Sequence, residues 1–191
     1  MTEKKPESAR SLVRRPLLAA ALLASAVVPG PALAAYDTFL KFDGIDGEST
    51  VKGHDKWIQV YSTSVGFANA SNQGNGRETG KPSCLPLSIT KSVDKASPLL
   101  VAATMTGKRF ATGTVEFVRS SGDGAANAFL KYELSNVILS SLGESGAAGN
   151  STVSESLDMS YAKMTITYTQ QNADGKPGAS VTSSVTCSNN N

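Results

Sequence analysis

Short segments in which apolar and polar residues alternate recur along most of this chain, and Gly-, Asn- and Ser-rich turns separate them. Successive side chains of a β-strand point to opposite faces, so a period of two is typical of half-buried strands. Ala162 shifts the phase of one segment and predicts a bulge or a break there, and Pro86 predicts a strand that lies at an edge or starts late. The predicted strands are 35–42, 57–65, 85–93, 113–119, 129–141, 154–169 and 179–187.

One segment beyond the N-terminus, 94–109 (DKASPLLVAATMTGKR), has the signals of a helix instead. The Ser97 hydroxyl is expected to cap the helix, Pro98 suits its first turn, and Gly107 provides a left-handed stop. Such a helix, Ser97 to Thr106, is too short to be stable alone, so it must pack its apolar stripe on the strands and cover exposed core. The expected stripe consists of Leu99, Leu100, Ala103 and Met105 or Thr106. The sequence therefore predicts a mainly β fold, a two-sheet barrel or sandwich with one short α-helix.

The N-terminal 34 residues have the organisation of a secretory signal. Basic residues precede an uncharged apolar run, 17–28 (LLAAALLASAVV), and 32–34 (ALA) has the small-x-small cleavage pattern. A membrane-spanning helix needs about 20 apolar residues, and this run is shorter. We expect cleavage before Ala35 and no stable membrane span in the mature form, with an uncleaved anchor as the alternative. The pair Arg14-Arg15 resembles part of a twin-arginine signal, so the Sec and Tat routes both stay open.

Without the signal the chain is close to neutral. Residues 1–34 hold five of the 18 Lys and Arg and two of the 16 Asp and Glu, which leaves 13 basic and 14 acidic side chains. Nucleic-acid-binding proteins concentrate basic residues on one face, whereas this chain scatters them, so no nucleic-acid partner is expected. The length, with 40% hydrophobic and 18% charged residues, is typical of a single domain, here 35–191.

Two cysteines remain in the mature chain, Cys84 and Cys187. An even number in a chain sent to an oxidising compartment favours one disulfide. Two unpaired thiols on separate strands are the alternative, because sequence alone cannot bring the two Cα atoms within about 7 Å. The absence of a C-x-x-C motif removes support for a redox enzyme or a zinc site.

Residue chemistry favours no enzyme and no cofactor. The chain has one histidine, His54, and a solvated loop position is the favoured interpretation of it. The acidic residues of 43–48 (DGIDGE) lack the spacing of calcium ligands in an EF-hand, and turn formation by the Asp-Gly pairs explains them better. Trp57 and Tyr61 alternate on one predicted strand and could stack on a sugar, although core aromatics are commoner. The polar segment 66–83 is far longer than a hairpin loop and is typical of a functional or disordered loop.

Several segments together resemble the Hcp proteins, the tube subunits of type VI secretion systems. The most specific are G-I-x-G-E-S at 44–49 and T-K-x-x-D-K-A-S-P-L-L at 90–100. The resemblance extends in the family's order over nearly all of 36–178. Its segments are 39–49 (FLKFDGIDGES), 56–69 (KWIQVYSTSVGFAN), 88–110, 129–141 (FLKYELSNVILSS) and 155–178.

The resemblance implies a compact two-sheet barrel with a helix packed at its side and no catalytic activity. It also implies six-membered rings that stack into a hollow tube, with the same chain, other type VI secretion components or small effectors as partners. In the family, the long loop after the second strand reaches a neighbouring subunit. The implied interface therefore combines the turn 43–48 with the loop, and its candidate residues are Asp43, Asp46, Glu48, Asn72, Asn75, Arg77 and Glu78.

Two departures from the family keep a second interpretation open. Tube-forming members normally carry no cleavable signal, and the end of this chain, 179–191, lacks the common Gly-Trp-Asp type ending and carries Cys187 instead. In the second interpretation, an Hcp-like domain is exported on its own to the periplasm or the cell exterior and acts as an adhesin or ligand-binding module. Its candidate contacts are Trp57 and Tyr61.

Overall fold

The computed structural model describes residues 1–2, 35–69, 82–120, 126–172 and 174–187. All the elements below belong to one compact unit, Ala34–Asn191. No helix in the described ranges is long and apolar enough to cross a membrane. The helix is α1, Ser97–Thr106. The strands are β1 Tyr36–Phe42, β2 Ile58–Val60, β3 Ser62–Ser64, β4 Phe67–Asn69, β5 Pro82–Cys84, β6 Leu87–Ser92, β7 Arg109–Ser120, β8 Ala126–Ser145, β9 Ser154–Ser160, β10 Lys163–Gln171 and β11 Pro177–Thr186.

Nine of these strands form one antiparallel sheet, and β4 and β5 pair separately. The main path runs β2-β1-β7-β8-β9-β6-β3, and β10 branches from β8 and carries β11 at its outer edge. Strand β8 is shared between the two branches: 130–135 pair with β10, and 138–145 pair with β9. Between them Asn136 has φ 55°, and its side-chain oxygen accepts a hydrogen bond from Arg109 Nη1 at 3.3 Å. Asparagine tolerates this left-handed conformation, and the bend lets one strand serve both layers of a sandwich.

The strand ladders leave the sheet open, so the barrel form of the prediction is corrected to a sandwich. The path ends on β2 at one edge and on β3 at the other. These two edges are consecutive along the chain, because Tyr61 alone separates them, and its N–H donates to the Thr90 carbonyl at 2.8 Å. The predicted single strand 57–65 is therefore divided, and each part pairs with a different strand.

The core lies between the strands and the helix, and alternate strand positions point into it as the period of two requires. On β6 the inward positions are Leu87, Ile89 and Lys91, and on β9 they begin at Glu155. One charged residue of each strand therefore occupies an inward position. The largest fully buried side chains are Tyr161, Phe39, Phe42, Lys91, Leu40, Ile45, Ile58, Leu87, Ile89, Leu100, Leu134 and Leu139.

The helix has its predicted bounds but not its predicted cap. Gly107 ends it with φ 63°, as expected for a left-handed C-cap. At the other end Ala96 is the N-cap residue and makes no side-chain capping bond. The Ser97 hydroxyl instead accepts hydrogen bonds from the Asp94 N–H at 3.1 Å and from Lys91 Nζ at 3.0 Å. The capping prediction was wrong because a buried lysine competes for this hydroxyl.

The helix packs on the sheet through a narrower stripe than predicted. Leu100 and Ala103 are buried, together with Ser97 at the start of the helix. Leu99 is 51% exposed and Met105 is 81% exposed, so both belong to the solvent side. One turn of a helix carries 3.6 residues, so a ten-residue helix resting on a flat sheet buries about one residue per turn. The remaining apolar residues form an exposed face.

The segment 66–83 was predicted to be a loop, and that prediction was wrong at its two ends, where β4 and β5 pair. The other strand predictions differ from the structure mainly in length. The predicted break at Ala162 is confirmed between β9 and β10, and β6 starts at Leu87, directly after Pro86. Strand β8 continues to Ser145, so the prediction that a connection begins at Leu142 was wrong. The extension exists because β9 supplies pairing partners for 141–145, which local sequence does not reveal.

The carboxylate of Asp158 on β9 gives a testable pH dependence. It accepts hydrogen bonds from Ser141 Oγ at 2.6 Å and from Ser88 Oγ at 2.5 Å, and these bonds hold its pKa below the ordinary value. Because the pKa of Asp158 is lower in the folded state, its ionised carboxylate stabilises the fold at pH values above the pKa in the unfolded chain, about 3.9. This contribution is lost as the pH falls through the folded-state pKa.

We therefore expect the free energy of unfolding of the wild type to fall more steeply below about pH 4 than that of Asp158→Asn. Urea unfolding at a series of pH values measures both slopes. Parallel curves for the two proteins would contradict this assignment.

Candidate subunit interface

The turn 43–48 exposes its acidic side chains and Gly44, and it buries Ile45 and Gly47. Gly44 has φ 77°, a conformation that favours glycine, and Phe42 and Ile45 form a β-bridge across the turn. Ile45 is buried and anchors the turn in the core. The candidates that the turn brings to one exposed surface are Asp43, Asp46 and Glu48.

Asp46 is the most strongly paired of these acidic residues. Its carboxylate lies 3.0 Å from Lys41 Nζ and 3.9 Å from Lys56 Nζ. The hydrogen bond from Lys41 is the main reason that the pKa of Asp46 lies below its ordinary value. Because the pair is exposed, it fixes the shape of the turn more than it stabilises the fold.

Glu48 joins the turn to the start of the helix, since its Oε1 accepts a hydrogen bond from the Lys95 N–H at 3.1 Å. Open clefts lie on both sides of this bond. One, of about 360 Å³, is lined by Gly44, Asp46, Lys95 and Leu99. The other, of about 230 Å³, is lined by Glu48, Ser49, Gln59, Tyr61, Ser92, Val93 and Asp94. We call the turn 43–48, together with the residues that line these two clefts, the turn surface.

Trp57 and Tyr61 have different surroundings. Tyr61 is 65% exposed and lines the cleft beside Glu48. Trp57 precedes β2, is half-buried, and packs edge-on against the His54 ring with 4.9 Å between centroids. Trp57 and Tyr61 lie on either side of β2 rather than on one strand, and they remain candidate contacts of the second interpretation.

His54 was predicted to be a solvated loop residue, and that prediction was wrong. It is 4% exposed, stacks on Phe39 with 4.7 Å between ring centroids, and its Nε2 lies 2.7 Å from Glu116 Oε2. Glu116 follows 62 positions later on β7, so no local pattern announced the pair. His54 therefore packs at the edge of the core and does not face an open site.

The Cys84–Cys187 disulfide is present, with 5.5 Å between the Cα atoms. It joins the end of β5 to the residue after β11. Cys84 pairs across the small sheet with Phe67, at the base of the long loop that the sequence singled out. The four loop candidates, Asn72, Asn75, Arg77 and Glu78, lie outside the described residues.

Sequence reasoning missed a buried charged cluster between β6, β9 and the helix. Lys91 Nζ lies 2.8 Å from Asp94 Oδ1 and 3.5 Å from Glu155 Oε1, and Lys91 and Glu155 are fully buried. The sequence did contain a signal for the buried lysine, because Lys91 occupies the same inward-facing alternate positions as Leu87 and Ile89. The described ranges contain no group of three or more His, Cys, Asp or Glu side chains placed to hold a metal ion.

Comparison with known proteins identifies the family. A protein-family model described as "Type VI secretion system effector, Hcp" matches residues 39–168. Protein hcp1 of Pseudomonas aeruginosa is 31% identical over 143 residues, which are 74% of this chain and 88% of that protein.

Solved structures agree in fold. One titled "Structure of a type six secretion system protein" has a TM-score of 0.71 and 35% identity, and the match covers 77% of this chain and 92% of that one. Hcp1 from Salmonella typhimurium has a TM-score of 0.66 and 28% identity, with 80% and 95% covered. These matches cover most of the β domain rather than one motif, and the family model ends before β11. The chain therefore belongs to the Hcp family of type VI secretion proteins.

Proposed function

We propose that the mature chain, 35–191, is a structural subunit that forms six-membered rings, and that these rings stack into a type VI secretion tube. The observation that carries the proposal is the extent of the family match, which covers 88% of Protein hcp1 and 92% of a solved type VI secretion protein. The similarity extends over most of the domain, which supports a shared role rather than a shared motif alone.

We place the turn surface at the contact between neighbouring subunits. It offers exposed carboxylates beside the exposed helix residue Leu99, so apolar area and charge lie together on it. The partners we propose are further copies of this chain, other type VI secretion components and small effectors.

The proposal includes no catalytic role. The single histidine is buried beneath Phe39 and is held by Glu116, so it does not present a base to an open cleft. The proposal also includes export by the segment 1–34 with cleavage before Ala35. The disulfide supports export, because such bonds form and persist in oxidising compartments.

Light scattering on the chain that begins at Ala35, with two matched charge reversals, tests the ring and the interface together. Asp43 is exposed, and the described residues provide it with no ion-pair partner, so Asp43→Lys should leave the fold intact. We expect about six subunits for the wild type and a smaller particle for Asp43→Lys, because a lysine places the wrong charge against a packed neighbour.

The control is Asp174→Lys, which reverses an exposed charge in the turn between β10 and β11 and should retain the wild-type mass. If both variants keep the wild-type mass, the turn surface is not the subunit contact. A monomeric wild type at high concentration would contradict the ring itself.

A further inference from the structure

Two peripheral parts of the domain have no strand pairing with each other. The first is the small sheet of β4 and β5, which we call the arm; it continues the β3–β6 ladder beyond a break at 65–66 and 85–86. The second is β11, which pairs only with β10 and forms an edge of the large sheet. Among the described strands, β11 is attached to the body through the β10 ladder, whereas the arm has no ladder to the large sheet and continues from β3 and β6 along the chain.

The Cys84–Cys187 disulfide is the covalent link between these two parts. On one side Cys84 is the last residue of the arm, and on the other Cys187 follows β11, where its N–H donates to the Ala162 carbonyl at 2.9 Å. Close by, the Tyr161 hydroxyl donates to the Leu85 carbonyl at 3.3 Å. The disulfide and this hydrogen bond, together with the packing of Cys84 against the core, hold the base of the arm against the large sheet.

The arm exposes apolar side chains on both sides of Cys84. Phe67, its cross-strand partner, is 48% exposed, and Leu85, its chain neighbour, is 53% exposed. An exposed apolar pair on a two-stranded sheet is not stabilised by packing of its own, since an isolated hairpin is at best marginal in water. Its position depends on what fastens it, and its apolar surface suits a protein neighbour.

The large sheet does not depend on the same bond. Its strands are held by long ladders, including those of β7 with β1 and with β8, and by a core in which Cys187 is 8% exposed. Opening the disulfide is therefore expected to release the arm locally while the sandwich stays folded.

We propose that the Cys84–Cys187 disulfide is a redox-sensitive fastener for ring assembly. When it is closed, the arm is held where a second copy of the chain binds it. When it is opened, the arm loses its fixed position and the ring does not form. This inference rests on the proposed function, because it specifies the condition under which the subunit assembles.

Opening the disulfide requires a reductant, and a dithiol supplies the two electrons. One thiolate of the dithiol attacks the sulfur of Cys84, which is the less buried of the two cysteines, and the S–S bond breaks to leave Cys187 as a thiolate. The second thiol of the reductant then attacks the mixed disulfide. The dithiol leaves oxidised as its own disulfide, and both cysteines become thiols after proton uptake.

The test measures mass by light scattering and secondary structure by circular dichroism on three samples of the mature chain. These are the oxidised protein, the same protein after dithiothreitol, and the double variant Cys84→Ala/Cys187→Ala. We expect about six subunits for the oxidised form and a roughly sixfold lower mass for the other two, with unchanged dichroism. Dithiothreitol should have no effect on the double variant, and reoxidation of the reduced wild type should restore the ring.

Two outcomes would overturn the fastener and leave the proposed function intact. In the first, all three samples form a ring. In the second, the oxidised protein forms a ring but the reduced protein loses the circular dichroism of its β-strands, which would show that the disulfide supports the whole fold rather than the arm. A monomer in the oxidised sample would instead overturn the ring, and the fastener with it.

Discussion

Gly47→Ala is expected to destabilise the domain by at least about 3 kcal/mol. A Cβ at this position would lie 2.2 Å from the Trp57 carbonyl oxygen and 2.5 Å from the Ile58 Cα. Both atoms belong to the backbone, so no side-chain rotation relieves the contact. The Gly47 N–H donates to the Lys56 carbonyl at 2.8 Å, and the turn must move away and lose this bond. Urea unfolding of the mature chain measures the change.

Gly143→Ala is the matched control for this substitution. Gly143 lies on β8 with an ordinary φ, and a Cβ there meets no heavy atom within 4 Å. Its replacement should change stability by less than about 1 kcal/mol, because only the freedom of the unfolded chain is reduced. Equal stability of the two variants would show that the turn is not held against 56–58 as described.

Lys91→Met is expected to cost about 3–5 kcal/mol. The lysine is fully buried beside Glu155, whose Oε1 lies 3.5 Å from Lys91 Nζ. The other carboxylate oxygen, Oε2, is buried and has no hydrogen-bond donor among the described residues. Methionine keeps the volume but removes the positive charge, and it leaves a buried carboxylate without compensation. Denaturant unfolding of the variant against the wild type gives the loss directly.

The double variant Lys91→Met/Glu155→Leu separates charge from packing. Replacing both members of a buried pair with apolar residues of similar size is often neutral, so most of the lost stability should return, to within about 1 kcal/mol of the wild type. Asp94 keeps its hydrogen bond from the Ala96 N–H in both variants. A double variant as unstable as Lys91→Met would mean that the residue shapes at this position, rather than the unpaired charge, cause the loss.

Local signals were sufficient to predict the helix and most of the strands, but not β4 and β5, whose pairing lies within a segment predicted to be a loop. Pro98 and Gly107 gave the bounds of the helix, because each acts through its own backbone and needs no tertiary partner. Alternation located the strands for the same reason, and the phase shift at Ala162 located the break between β9 and β10. Their lengths were less predictable, since Leu142 joins β8 only because Leu157 pairs with it.

The candidate surface was predictable only in part. The acidic turn was recognised from its glycines, but the surroundings of His54 depend on Phe39 and Glu116, which lie far away in sequence. The exposed side of the helix was missed because apolar spacing does not say how many residues a flat sheet buries. Lys91 was missed because a lysine in a strand is usually exposed, and its polar contacts with Asp94 and Glu155 explain the exception.

Native mass spectrometry of the oxidised chain that begins at Ala35 tests the central claim most directly, because it counts subunits. The account predicts that the main assembled species contains six copies, each with its disulfide intact. A spectrum of the folded protein that contains only single copies, even at high protein concentration, would contradict this prediction.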